Sequence, residues 1–414
     1  MEHLFPVRGN RPASPRLPPL WLLSRPRGYQ SRRELTYLSS AMAKIAVDAM
    51  GGDHAPAVVV EGALLAAQEL SADVVLVGPK DAIHRELARL AAERFPAVAT
   101  VSASQVVNMD ESPSTALRKK DSSMKVAFEL MKRGEVQAVV SAGNSGAMMA
   151  IGMLVMGTLP QVARPAILAV VPGAAKGTVI IDAGANVDCK PRQLLQFGIM
   201  GSVYAEHALG IANPKVGILS NGEEDSKGNE LTRAASELLA AAPLDYVGYV
   251  EGRDFFNGKV DVIVCDGFTG NVALKTMEGV ASFAGEVLKT AFNKNLSSRV
   301  GYLMSRKSLR EAYRRLDYAE YGGAPLLGLD GVAIIAHGGS SPRALKNAIR
   351  VASESVSHDV NGRIGAALDL VMGGAGEVKR KRPKTLWQKL KTKIETIGER
   401  SPAECEGKEQ KRGE

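Results

Sequence analysis

The sequence predicts an α/β fold, three-layer α/β/α with a largely parallel sheet, on two observations. Short apolar runs rich in β-branched residues recur along the chain, too short for helices and apolar on both faces, as strands covered on both sides must be. Amphipathic stretches of helical period lie between many of them, and that alternation builds a parallel sheet sheathed in helices. At 414 residues and 45% hydrophobic content the chain can bury one large core or two moderate ones. No apolar run approaches the roughly 20 residues needed to cross a bilayer.

Taken in order, the expected strands are Ile45–Asp48, Val74–Val77, Ala138–Ser141, Ala166–Val171, Val179–Asp182, Val216–Leu219, Tyr246–Val250, Val260–Cys265 and Val332–Ala336. The expected helices are Ala57–Leu70, Lys80–Arg94, Ser114–Arg133, Arg192–Leu209, Glu230–Ala241 and Pro342–Ser357. Residues 272–316 break the rhythm with a long helical pattern. Between Lys289 and Leu316 it holds eight Lys/Arg against Glu311, with Leu296, Val300, Tyr302, Leu303 and Met304 near its turn. This protruding basic helical arm, about residues 280–316, suits an acidic partner or a phospholipid headgroup layer, or a dimer contact with solvated flanks.

Three segments are expected: a Pro/Arg-rich disordered extension over residues 1–41, a catalytic body over 42–376, and a basic tail over 377–414. The extension has no sustained periodicity; Met42 opens the body abruptly and is an alternative start. In the tail, Trp387, Leu390, Ile394 and Ile397 share one face of a basic amphipathic helix that could lie on an anionic membrane. The two ends together hold more positive charge than the net +8 of the whole chain, so the body between them is mildly acidic. A nucleic-acid-coating surface is therefore not expected. Cys189, Cys265 and Cys405 are too few and too scattered for a disulfide framework or a zinc site.

Ligands of open parallel sheets bind beyond the carboxyl ends of strands. Six loops there are rich in Gly, Asn and charged residues. The first carries Asp48, Gly51, Gly52, Asp53 and His54; the second Gly143, Asn144, Ser145 and Gly146; the third Asp182, Asn186, Asp188 and Lys190. The fourth carries Glu223, Glu224, Asp225 and Lys227, the fifth Asp266, Gly267, Gly270, Asn271 and Lys275, and the last His337. In the fifth loop the glycines allow a tight strand-to-helix turn, and a helix starting at Asn271 would present unpaired amides to an anion. Lys275, one turn on, would lean back toward the same point. The chain lacks G-x-G-x-x-G, G-x-x-x-x-G-K-[ST], G-x-S-x-G and H-E-x-x-H, so dinucleotide, P-loop, serine-hydrolase and zincin chemistries lose support.

The collinear set D-A-M-G-G-D, S-A-G-N-S-G-A, D-A-G-A-N-V-D-C-K-P, N-G-E-E-D-S-K-G-N, V-E-G-R-D, D-G-F-T-G-N-V-A-L-K, Y-G-G-A-P-L-L-G and H-G-G-S-S resembles the phosphate acyltransferase family of bacterial phospholipid synthesis, over about residues 43–358. The resemblance implies a homodimer of the isocitrate and isopropylmalate dehydrogenase-like architecture. It implies conversion of acyl-(acyl carrier protein) and inorganic phosphate to acyl phosphate at the cytoplasmic membrane face, supplying the downstream acyl phosphate:glycerol-3-phosphate acyltransferase. No cofactor and no metal are expected. Phosphate is itself a nucleophile and a thiolate an adequate leaving group, which leaves positioning and oxyanion stabilisation to the protein. Lys275, the amides after Gly270, and Lys190 or Lys227 are the expected phosphate ligands. Asn271, Asn144 or Asn186 are the expected oxyanion donors, and His337 the proton donor to sulfur. Three rivals stand beside this reading: a phosphotransacetylase using acyl-coenzyme A, a metal-dependent decarboxylating dehydrogenase with Glu223, Glu224, Asp225 and Asp266 as ligands, and a non-catalytic membrane scaffold.

Overall fold

In the computed structural model, residues 43–91, 98–173, 176–316 and 322–373 are described, with side chains through residue 309 of the third span. The 1–41 extension and the proposed tail helix lie outside them. The elements run β1 (Lys44–Asp48), α1 (Ala57–Glu69), β2 (Asp73–Gly78), α2 (Lys80–Arg89), β3 (Ala99–Ser102), α3 (Pro113–Ala116), α4 (Ser123–Lys132), β4 (Ala138–Ser141) and α5 (Ser145–Val155). Next come β5 (Ala166–Val171), β6 (Thr178–Ile181), α6 (Pro191–His207), β7 (Lys215–Leu219), α7 (Glu230–Ala241), β8 (Asp245–Val250), β9 (Val262–Val264) and α8 (Gly267–Asn293). Last are α9 (Leu296–Leu316), β10 (Ala324–Leu327), β11 (Val332–Ile335), α10 (Pro342–Ser357) and α11 (Val360–Met372).

The strands form one eleven-stranded sheet, β3-β2-β1-β4-β11-β10-β5-β6-β9-β7-β8. Alternation along the strands assigns its two faces. Ile45, Val47, Val140 and Ile334 pack under α1 and α10, and Leu168, Val179, Ile181, Val216 and Val264 continue that face under α6, α7 and α11. Ala46, Val139 and Ala333 face α4 and α5 on the other side, where Ile180 and Ile263 meet the first turns of α8. These are the three expected layers. Burial of near-continuous Val/Ile/Leu/Ala runs on both faces is what the hydrophobic effect requires of such strands.

The sheet departs from the expected uniformity at its centre. β10 runs antiparallel to both β11 and β5, and β5 antiparallel to β6. β3, β10 and α11 were not expected from the pattern, and the single helix expected over Ser114–Arg133 is two, because Ser122 caps a new start through the amide of Lys125. Reversal at the centre means that β1, β4 and β11 point one way and β6, β7 and β9 the other. The six loops therefore leave the sheet in opposite directions, where a common rim was expected. Register places Ile335 opposite Ala324, Leu326 opposite Ile167 and Leu168 opposite Ile181. The ends of β11 and β6 are thus level to within about one residue, roughly 3 Å along the strands, and lie about 14 Å apart across them.

α8 and α9 pack on each other as an arm, with the rings of Phe292 and Tyr302 5.4 Å apart at its turn. Phe283, Val287, Leu296, Leu303 and Met304 are exposed on it. No helix of the described residues is long and apolar enough to cross a membrane.

Candidate functional site

The first group of loops is interlocked. Asp48 is buried at the end of β1, where Ser141 donates to it at 2.7 Å and the amide of Met50 at 3.2 Å. Burial raises its carboxyl above the usual range, with the hydrogen bonds opposing. A side chain on Gly51 would start 2.7 Å from the amide of Gly143, so only glycine lets the β1 and β4 loops touch. Gly52 has φ +105°, and Asp53 donates its amide to Gly338 on the β11 loop. Asn144 caps α5 by accepting from Ala147, while its amide donates to the carbonyls of Met109 (2.8 Å) and Glu111 (2.9 Å). Both of its donors are thereby used, so the expected oxyanion role of Asn144 gives way to a structural one. Ser145 and Gly146 form the first turn of α5 behind it. His337 is exposed in this first group, with Nδ1 accepting from the amide of Gly339.

The second group is built on Asp182. Its carboxylate is fully buried and accepts the amides of Ile167 (3.0 Å), Gly184 (3.1 Å), Ala185 (2.9 Å) and Asn186 (2.7 Å), plus Nδ2 of Asn186 at 2.8 Å. Burial pushes the carboxyl up from its ordinary value, opposed by these donors. Asn186, also buried, spends its other Nδ2 hydrogen on the carbonyl of Pro165, so it too is a structural residue and no oxyanion donor. Through this core the β6 loop is welded to α8. Gly267 donates to the carbonyl of Asn186 at 2.7 Å, and a side chain on Gly270 would start 2.0 Å from the carbonyl of Asp182.

α8 begins at Gly267, one turn before the expected start. Asp266 caps it, taking the amide and hydroxyl of Thr269, and the amide of Gly270 bonds back to Asp266. The amides expected to cradle phosphate are therefore largely satisfied inside the protein, and a carboxylate already sits on the dipole. Lys275 reaches forward to Glu278 at 2.8 Å, where the expectation had it leaning back. An exposed pair of this kind is worth under about 1 kcal/mol and yields readily to a dianion. Asn271 is the amide that remains. It is exposed, lies over Gly184, whose φ of +136° lets the β6 loop pass close beneath it, and no described residue takes its side chain.

Lys190 stands exposed at the start of α6, and Lys227, half-buried on the loop beyond β7, faces Glu224 at 4.0 Å. Glu223, one of the metal ligands of the dehydrogenase alternative, is held by Lys259 at 2.8 Å and Arg253 at 3.2 Å, which keep its carboxyl below the usual range. Cys189 and Cys265 both lie beside the Asp182 core. Burial first, then the Asp182 charge, pushes the Cys189 thiol up to about 12, so it is no nucleophile at neutral pH. Asn271 and the exposed Lys275 on α8, and the exposed Lys190 at the end of the β6 loop, thus belong to the two elements that meet at the rigid, acid-cored Asp182 junction. Such a surface is suited to binding and polarising an oxyanion.

Residues 43–363 match the family described as fatty acid synthesis protein. Among curated proteins the chain is similar to the phosphate acyltransferase of Citrifermentans bemidjiense, 54% identical over 327 residues, covering 79% of this chain and 93% of that one. It is similar to the phosphate acyltransferase of Geobacter sulfurreducens at 53% identity over 327 residues, 79% of this chain and 94% of that one. Among solved structures it resembles a phosphotransacetylase from Streptococcus pyogenes, with a TM-score of 0.52 at 17% identity over 76% of this chain and 94% of that chain, a likeness of fold.

Proposed function

Because the chain belongs to this fatty acid synthesis family and is a phosphate acyltransferase of lipid and phospholipid synthesis, we propose that its substrates are fatty acyl-(acyl carrier protein) and inorganic phosphate, and its products acyl phosphate and free carrier protein. A phosphate oxygen attacks the thioester carbon, forming the C–O bond and a carbonyl oxyanion. Collapse breaks the C–S bond, and the thiolate leaves and takes a proton from water. Lys190 and Lys275, with Lys227 beyond them, hold the phosphate, and the Asn271 amide donates to the oxyanion, a donor worth about 3–4 kcal/mol. The supporting observation is that Asn271 keeps a free amide directly over the rigid Asp182 loop, one helical turn before Lys275.

The arm fits the partners of such a reaction. Its exposed Phe283, Leu296 and Leu303 would be covered by a second copy of the chain, and Arg299, Arg306 and Lys307 would meet an acidic carrier protein or an anionic membrane face. A homodimer peripherally associated with the cytoplasmic membrane, handing acyl phosphate to the next acyltransferase, follows from that reading. Sedimentation reads the dimer, and flotation with vesicles of anionic phospholipid reads the membrane contact.

The deciding experiment incubates the purified protein with palmitoyl-(acyl carrier protein) and inorganic phosphate, without metal or nucleotide, and follows free thiol and acyl phosphate together. Both should appear in equal amounts. Thiol release that runs equally fast without phosphate would make the protein a thioesterase.

A further inference from the structure

Looking only behind the strands misses one place where a functional residue can sit in a mixed sheet. β5 is antiparallel to β6, so the residues that precede β5 stand beside the loop that follows β6. Arg164 lies there, two residues before Ala166.

The backbone around Arg164 is tied down by buried side chains of the β6–α6 segment. Asn186 donates to the carbonyl of Pro165 at 2.8 Å on one side of it. On the other side Gln196, buried in the second turn of α6, accepts from the amide of Ala163 at 3.3 Å and donates to the carbonyl of Gln161. Two residues on, the amide of Ile167 enters the carboxylate of Asp182 and its carbonyl accepts from Ala183. Burying polar amides is costly unless they are hydrogen-bonded. Here Asn186 and Gln196 direct those bonds to one short stretch of chain whose arginine is left exposed. The bond from Asn186 to Pro165 holds this arginine next to the loop that runs on through Cys189 to Lys190, and the guanidinium charge lowers the Cys189 thiol against the effect of burial. Beneath them the Oδ1 of Asn186, in a residue 1% exposed, has no hydrogen-bond partner among the described residues.

We propose that Arg164 is a phosphate-binding residue that, with Lys190, clamps the inorganic phosphate at the end of β6. The clamp rests on the reaction assigned above and names a ligand for its nucleophile. A planar guanidinium donates two parallel hydrogen bonds to phosphate, which a lysine cannot do, and so fixes orientation as well as charge. Oriented in this way, one phosphate oxygen is held toward the thioester while the others are neutralised.

The test compares the parent with Arg164→Gln and Arg164→Lys. Arg164→Gln should raise the KM for phosphate about tenfold or more, the loss of a charge-assisted contact, and leave the KM for palmitoyl-(acyl carrier protein) and the urea midpoint unchanged. Arg164→Lys should recover part of the phosphate affinity. The rise of Tm that phosphate gives the parent should be lost in Arg164→Gln. An unchanged phosphate KM in Arg164→Gln, or a rise in the KM for the acyl carrier in its place, overturns the clamp. A parent that forms no acyl phosphate would instead overturn the assigned reaction, and the phosphate-dependent Tm would still decide the clamp.

Discussion

Replacing Gly270 by alanine should separate helix propensity from packing within one substitution. In an open helix alanine is favoured over glycine by about 1 kcal/mol. At Gly270 the new methyl group would start 2.0 Å from the carbonyl oxygen of Asp182, 2.9 Å from Sγ of Cys265 and 3.0 Å from the Asp182 carbonyl carbon. Two of these are backbone atoms of the Asp182 loop, whose amides are tied to the buried carboxylate, so α8 must retreat by more than about 1 Å to reach ordinary contact. Overpacking of that kind costs roughly 1–3 kcal/mol. The retreat also strains the bond from Gly267 to Asn186, worth about 1 kcal/mol. The expected net loss is about 1–3 kcal/mol, against the intrinsic preference. Gly365 in α11 supplies the control, since a side chain there would meet nothing within 4 Å. Gly365→Ala should be neutral or stabilising by up to about 1 kcal/mol. Urea unfolding at constant m reads both. A Gly270→Ala protein as stable as the parent would refute the weld between α8 and the β6 loop.

Asn271→Ala should lower kcat by about 10²–10³-fold with little change in phosphate KM, as loss of an oxyanion donor does; steady-state kinetics with both substrates decide. Asn144→Ala removes an N-cap and two bonds to the Met109–Glu111 stretch, so it should destabilise by roughly 2–3 kcal/mol in urea, and a drop in kcat at unchanged stability would restore the catalytic role denied to it here. With its pKa near 12, Cys189 should be thiolate in only about one molecule in 10⁴ at pH 8, so iodoacetamide should label it only on unfolding, as read by mass spectrometry. Lys259 and Arg253 hold the Glu223 carboxyl below the ordinary glutamate range. A depressed carboxyl stabilises the fold above its unfolded value and loses that contribution as pH falls through the folded one. Glu223→Gln should therefore lower stability slightly near neutrality, where that contribution is fully present, and shallow its loss as pH falls below about 4.5, which urea titrations across pH measure.

Much of the architecture could be read from local pattern. Ala138–Ser141, Ala166–Val171, Glu230–Ala241 and Pro342–Ser357 are elements at the expected bounds, because each is an apolar or amphipathic run with a cap or turn at its edge. β10 escaped because Ala324-Pro325-Leu326-Leu327 carries a proline and no alternation, and is a strand only because β5 and β11 offer it partners. β3 is a four-residue edge strand held by β2 alone. The loop residues were found for sound reasons, but roles were assigned from residue type. Asn144 and Asn186 have the same chemistry as Asn271, and only their neighbours show that their donors are taken.

From its amino acids alone this chain declares an α/β sheet with helices on both sides, the loops that are rich in glycine, amide and charge, and the family to which those motifs belong, since periodicity and motif order are local properties of a sequence. Strand direction is not local. Which way β5 and β10 run follows from long-range pairing, and that pairing divides the loops into two groups, buries Asp182 and Asn186 as a scaffold, and brings the segment of Arg164, from in front of a strand, next to the loop behind β6 that leads to Lys190.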